Sequence, residues 1–187
     1  MKDITRDTLE RVAQGDIAAF EQVYKETGSF VYNVAFGITR NSMDAQDVSQ
    51  NVFLKIYRKL KYFQFRSSFK TWVYRITVNT AINHYRKTIK EGKGRVGYEE
   101  IIESLPDACS AAEGAIQSDN EIRLNALLAK LSVEHKACLI LREIEGLSYQ
   151  EIADILKVPV NTVRSRLKRA RQALLENARK GLVQDAV

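Results

Sequence analysis

The sequence has few of the residues that break helices, bind metals or form disulfides. Among 187 residues there are two prolines, two cysteines and two histidines. Cys109 and Cys138 are too few for a disulfide framework and have no metal-ligand neighbours in the sequence. Cys138 lies in an apolar helical run, so we expect it to pack in a core. These scarcities favour a protein of a reducing cytoplasm that holds no metal.

Other features are missing altogether. No apolar run is long enough to span a bilayer, and the amino-terminal segment lacks the apolar region of a signal peptide. No glycine-rich phosphate loop precedes a helix, and His84 and His135 stand alone. We therefore expect no direct membrane insertion, no cofactor and no enzymatic activity. With few prolines and no alternating strand pattern, the predicted fold is all-α.

The composition allows a folded protein with a polyanionic partner. Hydrophobic residues make up 45% of the chain, which is enough for real cores, and the length suits one domain or two small ones. The formal net charge is +6 and the pI is about 9.3. Such a balance suits a polyanionic partner, although net charge alone identifies none.

The most informative stretch is LSYQEIADILKVPVNTVRSRLKRARQALL, which starts at Leu147. Ser148 and Glu151 have the spacing of a capping box that opens a first helix. Pro159 interrupts it and suits the first turn of a second helix from about Val160. This pattern predicts a helix-turn-helix whose second helix would enter a DNA major groove.

The second helix has two faces of opposite character. At about 100° per residue, one face is apolar and the other carries amides, a hydroxyl and cations. A solvated basic face is the alternative interpretation, but the capped preceding helix and the short turn favour DNA binding. The candidate DNA-contacting residues of this face and its flanks are Asn161, Arg164, Ser165, Arg166, Lys168, Arg169, Arg171 and Gln172.

The amino-terminal half predicts further amphipathic helices. A short helix over residues 5–14 precedes a longer stripe in which Phe20, Val23 and Tyr24 are expected in the core and Gly28 marks a break or loosening. The next helix, capped by Asn41 or Ser42, is acidic at its start and basic at its end. Matching to the helix dipole explains these charges, so composition alone does not indicate an interface there.

An aromatic and basic connector, KYFQFRSS, leads into a helix expected over residues 69–87 with Ser67 or Ser68 as its cap. Aromatic rings interleaved with Arg, Lys and Asn are typical of proteins that bind single-stranded nucleic acid. A tryptophan at helical spacing is more often a core residue, and Trp72 could be either. Phe69, Val73, Ile76 and Trp72 form the predicted apolar stripe of this helix.

Residues 89–119 differ in composition. Several glycines, one proline and many acidic or small residues predict a flexible linker, with short helical pieces around residues 98–105. Helical patterns resume over residues 121–130 and 133–145, with Ser132 as a cap and Gly146 as a stop. The predicted domains are therefore 1–88 and 120–180, joined by residues 89–119.

Four motifs in this order resemble a bacterial RNA polymerase sigma factor of the extracytoplasmic-function (ECF, group IV) class. They are GDIAAF, DAQDVSQNVFLKIYRKL, SSFKTWVYRITVNTAINHYRK and LREIEGLSYQEIADILKVPVNTVRSRLKRARQAL. The resemblance implies a sigma-2 domain that melts the promoter −10 element and a sigma-4 domain that reads the −35 element. It also implies core RNA polymerase as a partner, with sigma-2 on the clamp of the largest subunit and sigma-4 on the flap of the second-largest. An anti-sigma factor, often membrane-bound, is implied as well.

The resemblance assigns roles residue by residue. Polymerase contacts fall on Asp44, Asp47, Gln50 and Asn51, where the family more often has an acid at the last position. The implied −10 contacts, with neighbouring polar residues of the same helix, are Phe65, Arg66, Ser67, Ser68, Lys70, Trp72, Arg75, Asn79, Asn83, Arg86 and Lys87. Asn83 stands where many members have Asp, and Ser132 replaces a common proline. The remaining alternatives are a stand-alone helix-turn-helix regulator that binds duplex DNA as a dimer, an enzyme, and a helical adaptor that binds only protein.

Overall fold

The computed structural model describes residues 4–91, 124 and 127–184, with side chains as far as residue 179. Over these residues the chain is helical and contains no strand, so the all-α prediction is confirmed. Most of the predicted 89–119 linker, with its short helical pieces, lies outside the described residues. So does most of the helix predicted over residues 121–130, of which 127–129 are helical.

The amino-terminal half is built from four α-helices. They are α1 (Arg6–Ala13), α2 (Ile17–Thr39), α3 (Ser42–Lys59) and α4 (Phe69–Lys90), with a short 3₁₀ turn at Leu60–Tyr62. Helices α2, α3 and α4 pack against one another, and α1 lies against α2 and the 3₁₀ turn. Helix α4 is three residues longer than the predicted 69–87.

The carboxy-terminal half has three helices. Helix α5 (Val133–Leu139) continues into a π-helical turn at Ile140–Ile144, and α6 (Tyr149–Leu156) and α7 (Val160–Gln184) follow. Gly146, with φ of +66°, ends the π turn as expected from its position. Helix α7 packs against both α5 and α6.

Side-chain caps fix where these helices begin. Ser68 and Ser132 each accept a hydrogen bond from the backbone N–H three residues on, and Asn41 does the same for Asp44. Of the two alternatives offered at each site, Asn41 and Ser68 are therefore the caps. Each such cap stabilises a helix by about 1 kcal/mol.

The break expected at Gly28 is absent, because α2 runs through this residue without interruption. A mid-helix glycine costs only about 1 kcal/mol relative to alanine. Burying Val23 and Val31, both fully inaccessible on either side of Gly28, stabilises by about 1.5–3 kcal/mol each. Packing therefore outweighs the local preference.

Helix α4 is buried on two sides, which its sequence stripe did not anticipate. Val73, Tyr74, Thr77 and Val78 are buried, whereas the expected core residues Trp72 and Ile76 are only half-buried. One side of α4 faces the bundle of α2 and α3, and the other faces α5 and α6. A helix enclosed in this way has no single apolar stripe.

The surface between the two halves is called the seam below, and polar contacts between described residues cross it. The Tyr74 hydroxyl donates to Glu145 Oε2 over 2.6 Å, and Arg86 Nη2 lies 2.6 Å from Glu134 Oε1. Arg75 Nη2 donates to the Asp154 carbonyl oxygen over 2.7 Å. Burial, together with the hydrogen bond to Glu145, raises the pKa of Tyr74, so this phenol stays a donor.

Lys136, at 1% exposure, is buried at the seam, with its Nζ 4.4 Å from the centre of the Tyr85 ring. Burial, assisted by the nearby Arg40 guanidinium, lowers the pKa of Lys136 to about 8. At pH 7 Lys136 remains protonated although its charge is buried, and this destabilises the folded state by about 3 kcal/mol. The Tyr85 ring offsets part of that cost through a cation–π contact with the Lys136 ammonium.

Lys136→Met is therefore expected to raise the free energy of unfolding at pH 7 by about 1–3 kcal/mol. Relative to this variant, the parent should gain stability between pH 8 and 10, because there the folded Lys136 binds fewer protons than the unfolded one. The raised pKa values of Cys138, Tyr74 and Tyr85 lower the stability of both proteins at alkaline pH and cancel in the comparison. Urea unfolding of both proteins at pH 7, 8 and 10 measures these effects, and a stability difference that stays flat from pH 8 to 10 would contradict this account.

Candidate nucleic-acid interface

Helices α6 and α7 form the helix-turn-helix that the sequence predicts. Ser148 and Glu151 make both hydrogen bonds of the capping box, and the pKa of Glu151 is lowered by the backbone and hydroxyl of Ser148. Lys157 takes a left-handed conformation with φ of 54° and ends α6. The Pro159 carbonyl then accepts from the backbone of Thr162 and Val163 at the start of α7. The turn is therefore fixed by local hydrogen bonds.

Packing sets which way α7 faces. Val163, Leu167 and Ala170 are at most 1% exposed and hold the helix against α5 and α6. The opposite face is solvent-exposed and strongly basic. Its exposed candidate residues are Asn161, Arg164, Ser165, Lys168, Arg169, Arg171 and Gln172. Because these residues share one face of a helix held by its back, they can enter a major groove together.

Two of the predicted DNA-contacting residues interact with residues outside α7. Arg166 is half-buried near the thiol of Cys138, whose pKa is raised by burial and lowered to a smaller extent by this guanidinium. Arg171 Nη2 lies 2.6 Å from Glu143 Oε1, and this bond raises the pKa of Arg171. Arg166 is thus less accessible than the other cations of α7, and Arg171 is held by an ion pair with the π turn.

Ser148→Ala is expected to lower stability by about 1 kcal/mol, because it removes the hydroxyl that caps α6. The thermal midpoint should fall by a few degrees while the exposed face of α7 stays intact. Differential scanning calorimetry measures the change, with Ser42→Ala as control, since Asn41 and not Ser42 caps α3. Equal losses in the two variants would contradict the capping assignment.

The connector before α4 presents aromatic and basic side chains at one end of the first bundle. Phe65 is 42% exposed and has a left-handed φ of 54°, a strained conformation for a bulky residue. Its ring lies 4.8 Å from that of Phe63, and the Arg6 guanidinium sits 4.7 Å from its centre. Trp72 is half-buried and packs on Phe63, so it is a core residue with an accessible rim.

Arg75, Asn79, Asn83 and Arg86 recur at intervals of four, four and three residues on α4, which places them along one line of the helix. This set is called the α4 stripe below. The two asparagines are exposed, as are Lys87 beside them and Lys70 at the start of the helix. Arg75 and Arg86, at the two ends of the α4 stripe, form the hydrogen bonds across the seam.

Arg66, Ser67, Ser68 and Arg75 border a cleft of about 800 Å³ together with residues of the helix-turn-helix turn. Lys157 and Pro159 line the opposite wall. Arg75 Nε is buried there and has no hydrogen-bond partner among the described residues. The connector and the turn therefore face each other across one space.

The four residues predicted to contact polymerase differ in exposure and in their hydrogen-bond partners. Asp47 and Asn51 are exposed, and Asn51 donates to the Asp47 carbonyl over 2.9 Å. Asp44 is not outward as expected, because its Oδ1 lies 2.8 Å from His84 Nε2 on α4. Gln50 alone of the four lines an open apolar groove between α2 and α3.

This groove, of about 1050 Å³, is the feature that sequence reasoning missed. Ile17, Tyr24, Leu54 and Tyr57 line it and are each more than 40% exposed. Tyr24 was expected in the core, yet its half-exposed ring lines the groove, with its centre 4.6 Å from that of Phe53 and the two planes tilted by 56°. The sequence feature that could have revealed the groove is the presence of apolar residues at outward positions of two adjacent helices.

The described residues contain no group of three side chains suited to a metal ion. None of the helices in these segments combines the length and apolarity needed to cross a membrane.

Family comparisons cover both halves of the chain. Residues 23–90 match the family described as Sigma-70 region 2, and residues 121–174 match Sigma-70, region 4. The first match spans most of α2 together with α3, the connector and α4. The second spans the helix-turn-helix.

Similar curated proteins share these regions over most of their length. RNA polymerase sigma-H factor of Pseudomonas aeruginosa is 34% identical, over 89% of this chain and 89% of the relative. ECF RNA polymerase sigma-E factor of Haemophilus influenzae is 36% identical, over 90% and 92%. The sigma-E factor of Escherichia coli K12 is also 36% identical, over 89% and 90%.

Solved structures show the same fold at lower identity. CnrH, in complex with the cytosolic domain of CnrY, has a TM-score of 0.66 at 23% identity, covering 98% of this chain and 99% of CnrH. The sigma factor RpoE of Bartonella quintana, in complex with the anti-sigma factor NepR, has a TM-score of 0.61 at 24% identity. That match covers 86% of this chain and 96% of the other.

Proposed function

This chain belongs to the sigma-70 family, in its ECF class, and we propose that it binds core RNA polymerase and directs promoter-specific transcription initiation. Sigma-4, comprising α5 to α7, would read the −35 duplex. Sigma-2, comprising α1 to α4, would melt the −10 element and capture its bases. The observation that carries the proposal is the exposed cationic face of α7. This helix is held by its buried apolar back in a helix-turn-helix whose first helix is capped.

The −35 role rests on the chemistry of the α7 face. Arg164, Ser165, Lys168 and Arg169 are exposed on one side, so they can contact base edges and phosphates of one groove. An arginine can bond a guanine edge in bidentate fashion, which discriminates by about 1–3 kcal/mol. The remaining cations add phosphate contacts that position the helix without reading sequence.

The −10 role rests on the connector and the α4 stripe. Phe65 offers an exposed ring, and Arg66, Ser67 and Ser68 surround it with polar groups. Extruding one base costs a few kcal/mol, which is offset when a ring and hydrogen-bonding groups receive the base. Along α4, Lys70, Arg75, Asn79, Asn83, Arg86 and Lys87 would follow the backbone of the melted strand.

Polymerase binding is assigned to the outer surface of α3 and the adjoining groove. Asp47 and Gln50 provide polar contacts beside apolar side chains that no described residue covers. A large exposed apolar groove with a polar rim is typical of a protein-protein interface. We assign it to the clamp of the largest catalytic subunit, and sigma-4 to the flap of the second-largest. Asp44, which pairs with His84, would act by orienting α3.

An anti-sigma factor is the proposed regulatory partner. The RpoE structure of similar fold holds such a factor, NepR. Because that likeness is at 24% identity, it supports the presence of a partner for this chain without identifying one.

Run-off transcription tests the function. Purified bacterial core polymerase is supplied with a library of promoter fragments, with and without this protein. Transcripts that appear only when the protein is added are the expected result, and their start sites give the promoter. A lack of such transcripts, together with tight duplex binding by the protein alone, would favour the stand-alone regulator.

A further inference from the structure

We propose that the Arg6 guanidinium on α1 is a further part of the −10 site, where it forms a planar platform on which a base of the single strand stacks. This inference rests on the proposed function, because it adds a residue to the surface assigned to the −10 strand. Helix α1 precedes residue 23, at which the match to Sigma-70 region 2 begins, so that family match does not include it.

The packing of α1 brings its first turn to the connector before α4. Leu9 and Val12 are buried, and the helix lies against α2 and the 3₁₀ turn at Leu60–Tyr62, which leads into the connector. Arg6 stays exposed, and its Cζ lies 4.7 Å from the centre of the Phe65 ring. The first helix of the chain therefore reaches the residue proposed to receive a −10 base.

Arg6 is the outermost member of a row of planar side chains. The ring centres of Trp72 and Phe63 are 5.1 Å apart, those of Phe63 and Phe65 are 4.8 Å apart, and the guanidinium follows on Phe65. The row begins at the half-buried Trp72 and ends at the Arg6 side chain, which is 73% exposed. Because the guanidinium lies over the Phe65 ring on one side, the surface left to solvent is on the other side. Unstacked bases lie on aromatic rings and on guanidinium planes, so this surface suits a base.

Two contacts hold the guanidinium in place before any base arrives. Its Nε donates to Glu10 Oε1 over 2.8 Å, and Phe65 lies against it. Phe65 keeps a left-handed φ of 54°, a conformation that a bulky residue retains only where its surroundings hold it. Arg6 and Phe63 are two of the neighbours that its ring contacts. A platform that is already positioned loses little conformational entropy on binding.

The charges around Arg6 favour a base over a phosphate as its ligand. The Glu10 carboxylate accepts from Nε and offsets the positive charge, and Asp7 is the next residue of the same helix. These carboxylates would repel a phosphate, whereas they do not repel the face of a neutral base. A cation placed over an aromatic face is also attracted to it.

Arg6→Lys and Arg11→Lys form a matched pair of variants. Arg6→Lys keeps the positive charge but removes the planar group, so it distinguishes a stacking platform from a simple charge. Arg11 is also exposed on α1, but its guanidinium bonds Asp16, the cap of α2. Each full-length protein is assembled with core polymerase and mixed with a fork of the promoter found by run-off transcription, in which the −10 non-template strand is single-stranded. Fluorescence anisotropy measures the dissociation constant.

Arg6→Lys is expected to weaken binding of the fork about tenfold, as for the loss of one base-stacking contact. The salt dependence should stay as in the parent, because no charge is removed. Arg11→Lys should match the parent in both measurements. When each −10 base is replaced in turn by an abasic site, one position should weaken the parent by a similar factor and weaken Arg6→Lys no further. That position identifies the stacked base.

Fork binding by Arg6→Lys as tight as that of the parent would overturn the inference, because the guanidinium plane would then make no contact. Tighter binding would also overturn it, since Arg6 would instead cover the Phe65 face that a base needs. Losses that add at every abasic position would reject the platform, because the substitution would then act on no single base. A parent without polymerase-dependent transcripts rejects the sigma role and the platform with it. Transcripts combined with an unchanged fork affinity of Arg6→Lys reject the platform alone.

Discussion

The variant Arg164→Ala/Arg169→Ala is expected to lose at least about 30-fold in affinity for the −35 duplex and to yield little run-off transcript. Both side chains are exposed on the face of α7 that is directed away from the protein core. If each makes one good contact to a base edge, its removal costs about 1–3 kcal/mol. Two independent losses add, and each 1.4 kcal/mol is a factor of ten.

The matched control for that variant is Arg179→Ala. Arg179 is an exposed cation on the same helix, beyond the matched region 4. Its loss should change duplex affinity little, apart from a smaller salt dependence if it touches a phosphate. An equal loss in both would mean that binding depends on total charge rather than on the α7 face.

Arg166→Ala separates packing from recognition on the same helix. The Arg166 side chain is half-buried and lies near the Cys138 thiol of α5. Its removal should lower the stability of sigma-4, as seen in a lower thermal midpoint, more than it lowers duplex affinity. A large loss of affinity without loss of stability would instead place Arg166 among the DNA contacts.

The helix-turn-helix could be predicted in detail because its signals are local. The capping box of Ser148 and Glu151, the break before Pro159 and the apolar spacing of Val163 and Leu167 each act within a few residues. Local hydrogen bonds and helical periodicity suffice to set them. The same holds for the caps of α3 and α4, where the sequence predicted one of two adjacent residues and the structure shows Asn41 and Ser68.

What the sequence could not indicate depends on contacts between distant residues. Asp44 has the spacing of an outward residue, but His84, forty positions away, draws it against α4. Tyr24 has the spacing of a core residue, yet α3 leaves its ring at an open groove. The break predicted at Gly28 was wrong for the same reason, since burial of Val23 and Val31 outweighs the low helix propensity of glycine. Periodicity gives the face of a residue but not the helix that it meets.

The groove between α2 and α3 leads to the second large effect. Leu54→Asp is expected to weaken binding of core polymerase by about 100-fold or more. Leu54 is 53% exposed and lines the groove together with Tyr24 and Tyr57. If the clamp buries this side chain, the variant loses its apolar contact and also places a carboxylate in a desolvated site. Surface plasmon resonance with immobilised core polymerase measures the dissociation constant.

Met43→Asp is the control that separates loss of the groove contact from a general effect of added negative charge. Met43 is 75% exposed on the same helix but does not line the groove. The two variants carry the same new charge, so a general electrostatic effect on polymerase would appear in both. Circular dichroism should show both folded, because neither side chain is in the core. If Leu54→Asp bound polymerase as tightly as Met43→Asp, the groove would not be the docking surface, and the contact would have to lie on Asp47 and Asn51 alone.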